Sequence, residues 1–353
     1  MPIRSFRAQN FRCLQDVEFE ADANYNLVYG ANASGKTSLL EALSYLGRGK
    51  SFRGAPTGSL VRHGEAGFLL VGKVEGPGWE STVGVRNGRE GLEVRIDGDS
   101  QVGVAELAEA LPLQVIDPEV HELVSGGPDG RRRFLDWAAF HVEHGFLEAW
   151  RRYRRALKQR NAALKDGGAL EAWTHELVQA GLRLDALRGS VAAATGAVLE
   201  RFASEMVGAE VRFSYRRGWA QGKSLEAAVE DSLDRDRQQG ATQAGPHRAD
   251  LAIEFDERQA RRLVSRGQQK LLACAMVLGS VATVQAAVGK RLLLLLDDPA
   301  AELDPASLGR LMASVFGLEC QVVATALDPE ILRFPSPPAR FHVEHGRLTP
   351  ATG

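Results

Sequence analysis

Cysteine is scarce. The three residues Cys13, Cys274 and Cys320 stand far apart and odd in number among 353. That spacing supports neither a disulfide framework nor a cysteine metal cluster, and the expectation is three small buried apolar side chains. The eight histidines include no H-E-x-x-H pair and no Cys/His cluster, so a zinc site is not supported. Long apolar runs are missing as well. The longest unbroken aliphatic run, 292–296, falls far short of the roughly 20 residues that cross a bilayer, and no apolar leader opens the chain. We therefore expect no membrane partner and a cytoplasmic location. An excess of one charge is also lacking: 43 Lys and Arg against 45 Asp and Glu leave a formal net charge of −2. This excludes a uniformly basic nucleic-acid coat protein but leaves room for a local basic patch. No internal repeat or low-complexity tract is present. What is there, 44% apolar and 25% charged residues, suffices for packed cores in about two domains.

Turns and apolar runs organise the chain. A short strand is predicted over 26–29, broken at 30–36, with a helix over 37–46. Strands over 68–74, 81–85 and 92–96, bounded by Pro77-Gly78, Asn87-Gly88 and Asp97-Gly98, read as an antiparallel meander. From about residue 129 turn residues thin out and Arg, Ala, Leu and Trp accumulate. At least two helices, and by preference three, are predicted to about residue 208, with a break at Asp166-Gly167-Gly168. A strand over 210–215 and a helix over 224–237 follow. After about residue 245 the strand–helix alternation returns: strand 251–255, helix 267–284, strand 291–296, helix 308–316, strands 321–324 and 341–344. Continuous aliphatic runs at 291–296 and 321–324 fit a parallel sheet covered on both faces. The expected class is α/β. One domain is formed from both ends of the chain, 1–128 and 240–353, and a mainly helical domain, 129–239, is inserted.

Gly30-Ala31-Asn32-Ala33-Ser34-Gly35-Lys36-Thr37 fits the G-x-x-x-x-G-K-T pattern, between a predicted strand and a predicted helix. Backbone N–H groups of such a loop and of the helix N-terminus can cradle phosphates. Lys36 can reach the β- and γ-phosphates of ATP, and the Thr37 hydroxyl can hold Mg²⁺. The apolar strand 291–296 delivers Asp297-Asp298 to its C-terminal end, where ligands bind in open α/β sheets. Asp297 is the candidate for Mg²⁺, and Asp298 for orienting the attacking water. About 260 residues separate the two motifs, a spacing that requires a large insertion.

Between them, Ser265-Arg266-Gly267-Gln268-Gln269-Lys270-Leu271-Leu272 resembles the signature segment of ABC-type ATPases, in the variant used by the RecF family of DNA replication, repair and recombination proteins. The resemblance extends along the whole chain. It includes Asn10-Phe11-Arg12, the continuation Ser38-Leu39-Leu40-Glu41 of the nucleotide loop, Gly49-Lys50-Ser51-Phe52-Arg53, Gly126-Gly127-Pro128, Arg131-Arg132-Arg133-Phe134-Leu135-Asp136 and Gly245-Pro246-His247-Arg248-Ala249-Asp250-Leu251. It implies an ABC-type P-loop ATPase domain with a mixed sheet, using ATP and Mg²⁺. Gln114 is implied as the Q-loop glutamine, sensing metal and γ-phosphate. Ser265, Gly267 and Gln268 are implied to cap the γ-phosphate held by a second protomer, hence an ATP-dependent homodimer, with Glu302-Leu303-Asp304 at its face. Thr325 stands near where a switch histidine is usual, which implies slow hydrolysis used as a switch. The implied role is binding to single-stranded and gapped double-stranded DNA and help in recombinase loading and the SOS response, with RecR- and RecO-like partners. An SMC-like structural DNA-binding head and a transporter-type ATPase subunit share the nucleotide chemistry. A roughly 100-residue insertion is short for the coiled coil of the first. Read from the residues alone, Ser265 is also a good helix N-cap. Ala33 departs from the family's usual glycine; if φ is positive there, alanine costs about 1–2 kcal/mol.

Arg151, Arg152, Arg154, Arg155, Lys158 and Arg160 crowd a short stretch without an acidic residue. On a helix Arg151, Arg155 and Lys158 share one stripe that can follow a phosphate backbone. With Arg152, and with Arg131 and Arg132 nearby, they are the candidate DNA contacts. A solvated helix face is the competing reading. Trp137, Trp150 and Trp173 are expected to pack rather than stack on bases. For His247 and Arg248 the family resemblance implies an interdomain or DNA-facing role, and a plain turn is the competing reading.

Overall fold

The computed structural model describes residues 3–76, 78–255, 258–259 and 265–351; Pro77 of the expected Pro77-Gly78 turn lies outside them. In chain order the first part carries β1 (Ile3–Phe11), β2 (Leu14–Glu20), β3 (Tyr25–Tyr29), α1 (Lys36–Arg48), β4 (Phe68–Gly76), β5 (Trp79–Gly88), β6 (Gly91–Ile96), α2 (Val104–Ala110) and β7 (Leu113–Ile116). The middle carries α3 (Glu122–Ser125), α4 (Pro128–Val142), α5 (Phe146–Asp166), α6 (Leu170–Val207), β8 (Val211–Arg216), α7 (Leu225–Asp231), α8 (Leu233–Gln239), β9 (Asp250–Phe255), β10 (Arg258–Gln259) and α9 (Arg266–Val288). Then come β11 (Leu293–Leu296), α10 (Pro305–Phe316), β12 (Gln321–Ala326), β13 (Ala339–Glu344) and β14 (Arg347–Pro350). The chain divides into two compact units, Met1–Val120 with Gly289–Gly353, and His121–Val288.

In the first unit a six-stranded sheet has the order β14-β13-β3-β12-β11-β7 and a five-stranded sheet the order β2-β1-β4-β5-β6. The six-stranded sheet is parallel from β13 to β7, with β14 antiparallel at its edge. Every residue of β11 and β12 is buried, as a parallel strand covered on both faces requires. The five-stranded sheet is antiparallel and contains the expected meander β4-β5-β6, extended by the β1–β2 hairpin. α1 packs on both sheets. Its Leu39, Leu40, Leu43 and Leu46 share one core with Phe6, Leu70 and Val83 and with Val28, Leu293 and Val323. Gln321, fully buried, ties β12 to the start of β1: its amide donates to the carbonyls of Ile3 and Asp22 at 2.8 and 2.9 Å and accepts from the Ile3 N–H at 2.7 Å. The parallel order sets the C-terminal ends of β3, β7, β11 and β12 along one edge, and α1 starts there.

The second unit is built on α6, a helix of 38 residues, flanked by α5, α9 and α4, with a β8-β9-β10 antiparallel sheet. The three expected helices are α4, α5 and α6, and the expected helix over 224–237 is two, broken at Ser232. A Cβ on Gly279 would lie 2.9 Å from Leu199 Cδ2, so glycine lets α9 approach α6 closely. Residues 240–288, expected with the ATPase domain, group here because α9 packs along α6 and β9 pairs with β8. By length and composition α9 could cross a membrane, which the search for unbroken aliphatic runs overlooked; 67% of its most apolar window is buried inside the protein, as in a core helix.

Candidate functional site

The loop between β3 and α1 has a backbone that its sequence dictates. Gly30 adopts φ 152°, and a Cβ there would stand 2.3 Å from the Val343 carbonyl oxygen, so no other residue fits. Gly35, at φ 120°, is the N-cap of α1, and its hydrogen side faces Cys13 Sγ and Gly346. Ala33 has φ 62°, the left-handed conformation for which alanine is ill suited. Ala33→Gly should therefore raise stability by about 1 kcal/mol in chemical denaturation. An unchanged or lower midpoint would show that the loop does not hold this conformation.

Ala31, Asn32 and Ala33 are exposed while Ser34, Gly35 and Lys36 are buried. Among the described residues the buried Ser34 hydroxyl has no hydrogen-bond partner, and no acidic residue occupies the first turn of α1. Lys36 Nζ folds back to donate to the carbonyls of Gly30 and Ala31 at 2.7 and 2.9 Å. Burial holds its pKa below the usual lysine value, opposed by the charges of Asp298 and Asp297. An orphan hydroxyl, an unneutralised helix N-terminus and a buried ammonium form a cradle whose chemistry fits a polyphosphate anion.

The second motif meets the first directly. The Thr37 hydroxyl lies 3.0 and 2.9 Å from the two carboxylate oxygens of Asp297. Thr325 holds both aspartates in place: its hydroxyl donates to Asp297 Oδ1 at 2.9 Å and accepts from the Asp298 N–H at 2.8 Å. Burial raises the pKa of Asp297, partly offset by these two hydroxyl donors. Thr37 and Asp297 are hard oxygen donors of the kind a Mg²⁺ site uses. Asp298 takes φ 47° immediately before the buried Pro299, so the chain turns sharply out of the sheet there. Ser38, in the first turn of α1, has its hydroxyl 3.5 Å from Cys13 Sγ. Cys13 itself is exposed, unlike Cys274 and Cys320, which corrects the expectation of three buried thiols.

Gln114 is not brought to this pair. It sits within β7 opposite Leu294, and its amide oxygen accepts from Arg48 Nη2 at 2.8 Å. That guanidinium is half-buried, and burial lowers its pKa to about 10. Sequence reasoning missed one carboxylate that feels the charge of Asp297, Asp117. Burial, and then the charge of Asp297, push its pKa up to about 6. Asp117 directly follows β7, a strand the sequence reading did not predict, so nothing in that reading pointed to it.

Two family-matching segments are joined by one half-buried ion pair. Arg12 Nε and Nη2 donate to Glu41 of α1 at 2.9 and 3.1 Å. Glu41 also accepts from Ser51, whose oxygen caps the N–H groups of Arg53 and Ala55. Asp304 caps α10, accepting from the N–H groups of Ala306 and Ser307 at 3.0 Å each.

In the second unit Ser265 and Gln268 form a capping box at the start of α9. The Gln268 N–H donates to Ser265 Oγ at 3.3 Å and the Ser265 N–H donates to Gln268 Oε1 at 2.9 Å. Gly267 has open space where a Cβ would be. The basic stripe divides. Among the described residues, Arg151, Arg155 and Lys158 are exposed and make no ion pair, whereas Arg152 is held by Glu176 at 2.8 Å. Arg154 lies over the half-buried Trp150, 4.8 Å from its ring centroid, and Trp137 and Trp173 are half-buried too. Arg131 leaves the set of candidate DNA contacts. It is buried, donates to both oxygens of Asp250 at 2.7 and 3.1 Å, and reaches the Gly126 carbonyl at 3.0 Å. Arg132 is committed likewise, to the Ala249 carbonyl at 2.6 Å and to Asp129.

A phosphate cradle closed by an aspartate at the sheet edge, on a parallel sheet backed by an antiparallel one, defines an ABC-type ATPase head. Residues 2–345 match the RecF/RecN/SMC N-terminal domain family. The DNA replication and repair protein RecF of Pseudomonas fluorescens Pf-5 is 40% identical over 349 residues, covering 96% of this chain and 95% of that protein. That of Pseudomonas putida KT2440 is 40% identical over 360 residues, covering 99% and 98%. The chain belongs to the RecF family of DNA replication and repair proteins. In fold it is similar to a solved structure of the recombination mediator protein RecF with ATP in the RecFOR pathway, with a TM-score of 0.90 at 24% identity over 99% of this chain and 97% of that one. An SMC head bound to the C-terminal winged-helix domain of ScpA is similar at a TM-score of 0.59 and 14% identity, over 99% and 96% of the two chains.

Proposed function

We propose that the 30–37 loop binds ATP, that hydrolysis there is slow, and that the bound nucleotide switches the protein between DNA-holding and DNA-releasing states. The observation that carries this is the buried, partnerless Ser34 hydroxyl beside Lys36 at the start of α1, with Thr37 and Asp297 facing each other across a hydrogen bond. Lys36 exchanges its two carbonyl partners for phosphate oxygens. Thr37 and Asp297 hold Mg²⁺, which when bound screens the phosphate charge; Gln114, engaged by Arg48, is left out of that set. Asp298 orients a water whose oxygen attacks the γ-phosphorus. The bond to the bridging oxygen breaks, ADP leaves, and the water's proton passes through Asp298 to solvent.

Ser265, Gly267 and Gln268 of one protomer complete the site of its partner, so that ATP favours a homodimer. The outer face of α5, with Arg151, Arg155 and Lys158, follows the backbone of single-stranded and gapped duplex DNA. The protein acts in the cytoplasm with RecR- and RecO-like mediators to help load recombinase. Asp298→Asn tests the chemical step: phosphate release should fall about 100-fold, the scale of a lost general base, with ATP affinity nearly unchanged. Equal turnover in the variant removes Asp298 from the mechanism.

A further inference from the structure

We propose that the paired turns 216–219 and 245–248 are a second contact for the DNA phosphate backbone, with Arg217 and Arg248 as its donors. This rests on the DNA-binding reading above and adds to it a surface separate from the α5 stripe.

The two turns are locked together. The Gly245 N–H donates to the Gly218 carbonyl at 3.3 Å. A Cβ on Gly218, at φ 89°, would stand 2.4 Å from Gly245 O and 2.6 Å from Ala249 N, so only glycine allows this approach. The 245–250 segment is then clamped by side chains from three helices. Arg188 donates to the Pro246 carbonyl at 2.7 Å while pairing with Asp136, and Tyr153 OH meets His247 Nδ1 at 2.6 Å. Arg132 holds Ala249 and Arg131 holds Asp250. A connecting turn needs no such framework, whereas a contact that must present a side chain in a fixed place does.

What the framework presents is positive. Arg248 is exposed, and among the described residues its side chain bonds to a neutral group, Gln243 Oε1 at 2.5 Å. The Arg217 side chain is 52% exposed, and its ion-pair partner Asp185 stays 3.8 Å away, with one carboxylate oxygen already taken by Tyr215 OH at 2.9 Å. Arg216 beside it is 56% exposed and reaches Glu254 at 3.5 Å. The guanidinium groups thus keep donors for an incoming anion, and Arg217 lies over the Trp219 ring, which limits its rotation. His247 stands next to Arg248 in the second turn. Burial lowers its pKa to about 4, and the charges of Arg248 and Arg132 push in the same direction, against its bond to Thr242 and the charge of Asp236. A row of fixed arginines on neighbouring turns suits successive phosphates rather than base edges.

The test is fluorescence anisotropy with a labelled oligothymidine across a salt series, with ATP and Mg²⁺ present. Arg217→Gln with Arg248→Gln should weaken binding about tenfold and lower the salt slope by about 1.4, the loss of two single-strand phosphate contacts. Arg217→Lys with Arg248→Lys keeps the charges and should restore most of the slope, which a purely structural role would not predict. Wild-type slope and affinity in the glutamine pair, or no recovery in the lysine pair, overturns the site. If Arg151→Ala with Arg155→Ala alone weakens binding, the DNA reading stands and this surface falls; if the wild-type protein binds no DNA, both fall.

Discussion

Lys36→Met is expected to lower ATP affinity by about 100- to 1,000-fold while leaving the fold intact. Charge-assisted hydrogen bonds to phosphate contribute about 1.5–3 kcal/mol each, and removing two of them at about 1.5–2 kcal/mol each gives a loss of this size. The side chain is already desolvated, being 8% exposed, so little of its charge is screened by water. Among the described residues its hydrogen-bond partners are the loop carbonyls of Gly30 and Ala31. Methionine keeps the length and fills the same channel, so the melting temperature should move little. Isothermal titration calorimetry with Mg²⁺-ATP reads the affinity directly. A wild-type titration curve would remove the 30–37 loop from the nucleotide site.

The second large effect concerns stability. Asp236→Ala should destabilise the second unit by about 3–5 kcal/mol, because it strands a buried guanidinium. Arg160 and Asp236 are each 0% exposed and meet at 2.7 Å. Arg160 also donates to Thr242 and Thr174, at 2.7 and 3.0 Å, and among the described residues its Nη2 has no partner. The other oxygen of Asp236 accepts from the Gln243 N–H at 2.9 Å, so its loss loosens the segment leading into Gly245. Replacing both partners, Arg160→Met with Asp236→Leu, should recover most of the loss, since a buried pair and an apolar pair of similar volume are close in stability. Urea denaturation of the two single variants and the double variant reads the coupling. A change under about 1 kcal/mol in Asp236→Ala would mean that water reaches this pair.

The nucleotide loop was legible because its requirements are local. Gly30, Gly35, Lys36 and Thr37 act within one turn, and their spacing alone states what the backbone must do. Asp297 was legible because a fully apolar strand can end in a carboxylate only where something uses it. The β1–β2 hairpin was within reach but missed: Val17 and Phe19 alternate with Asp16, Glu18 and Glu20 as a half-buried strand should. Its turn at Arg12-Cys13, with Arg12 at φ 54°, carries no glycine or asparagine to mark it. The arginines were not legible. Arg131, Arg160 and Arg188 look like Arg151 and Arg155 in sequence, yet are buried against Asp250, Asp236 and Asp136, at sequence separations of 119, 76 and 52 residues. Only the folded chain brings such partners together. The unit boundary was hidden for the same reason. α9 begins with a motif associated with ATPase chemistry, but its apolar surface belongs to α6.

Sedimentation velocity of the wild-type protein and Lys36→Met, with and without Mg²⁺-ATP and a labelled single strand, tests the central claim most directly. The account predicts a monomer without nucleotide. ATP should shift the wild-type protein, and not the variant, to twice the monomer mass with the strand co-sedimenting. Strand binding that is equal with and without ATP in both proteins would contradict it.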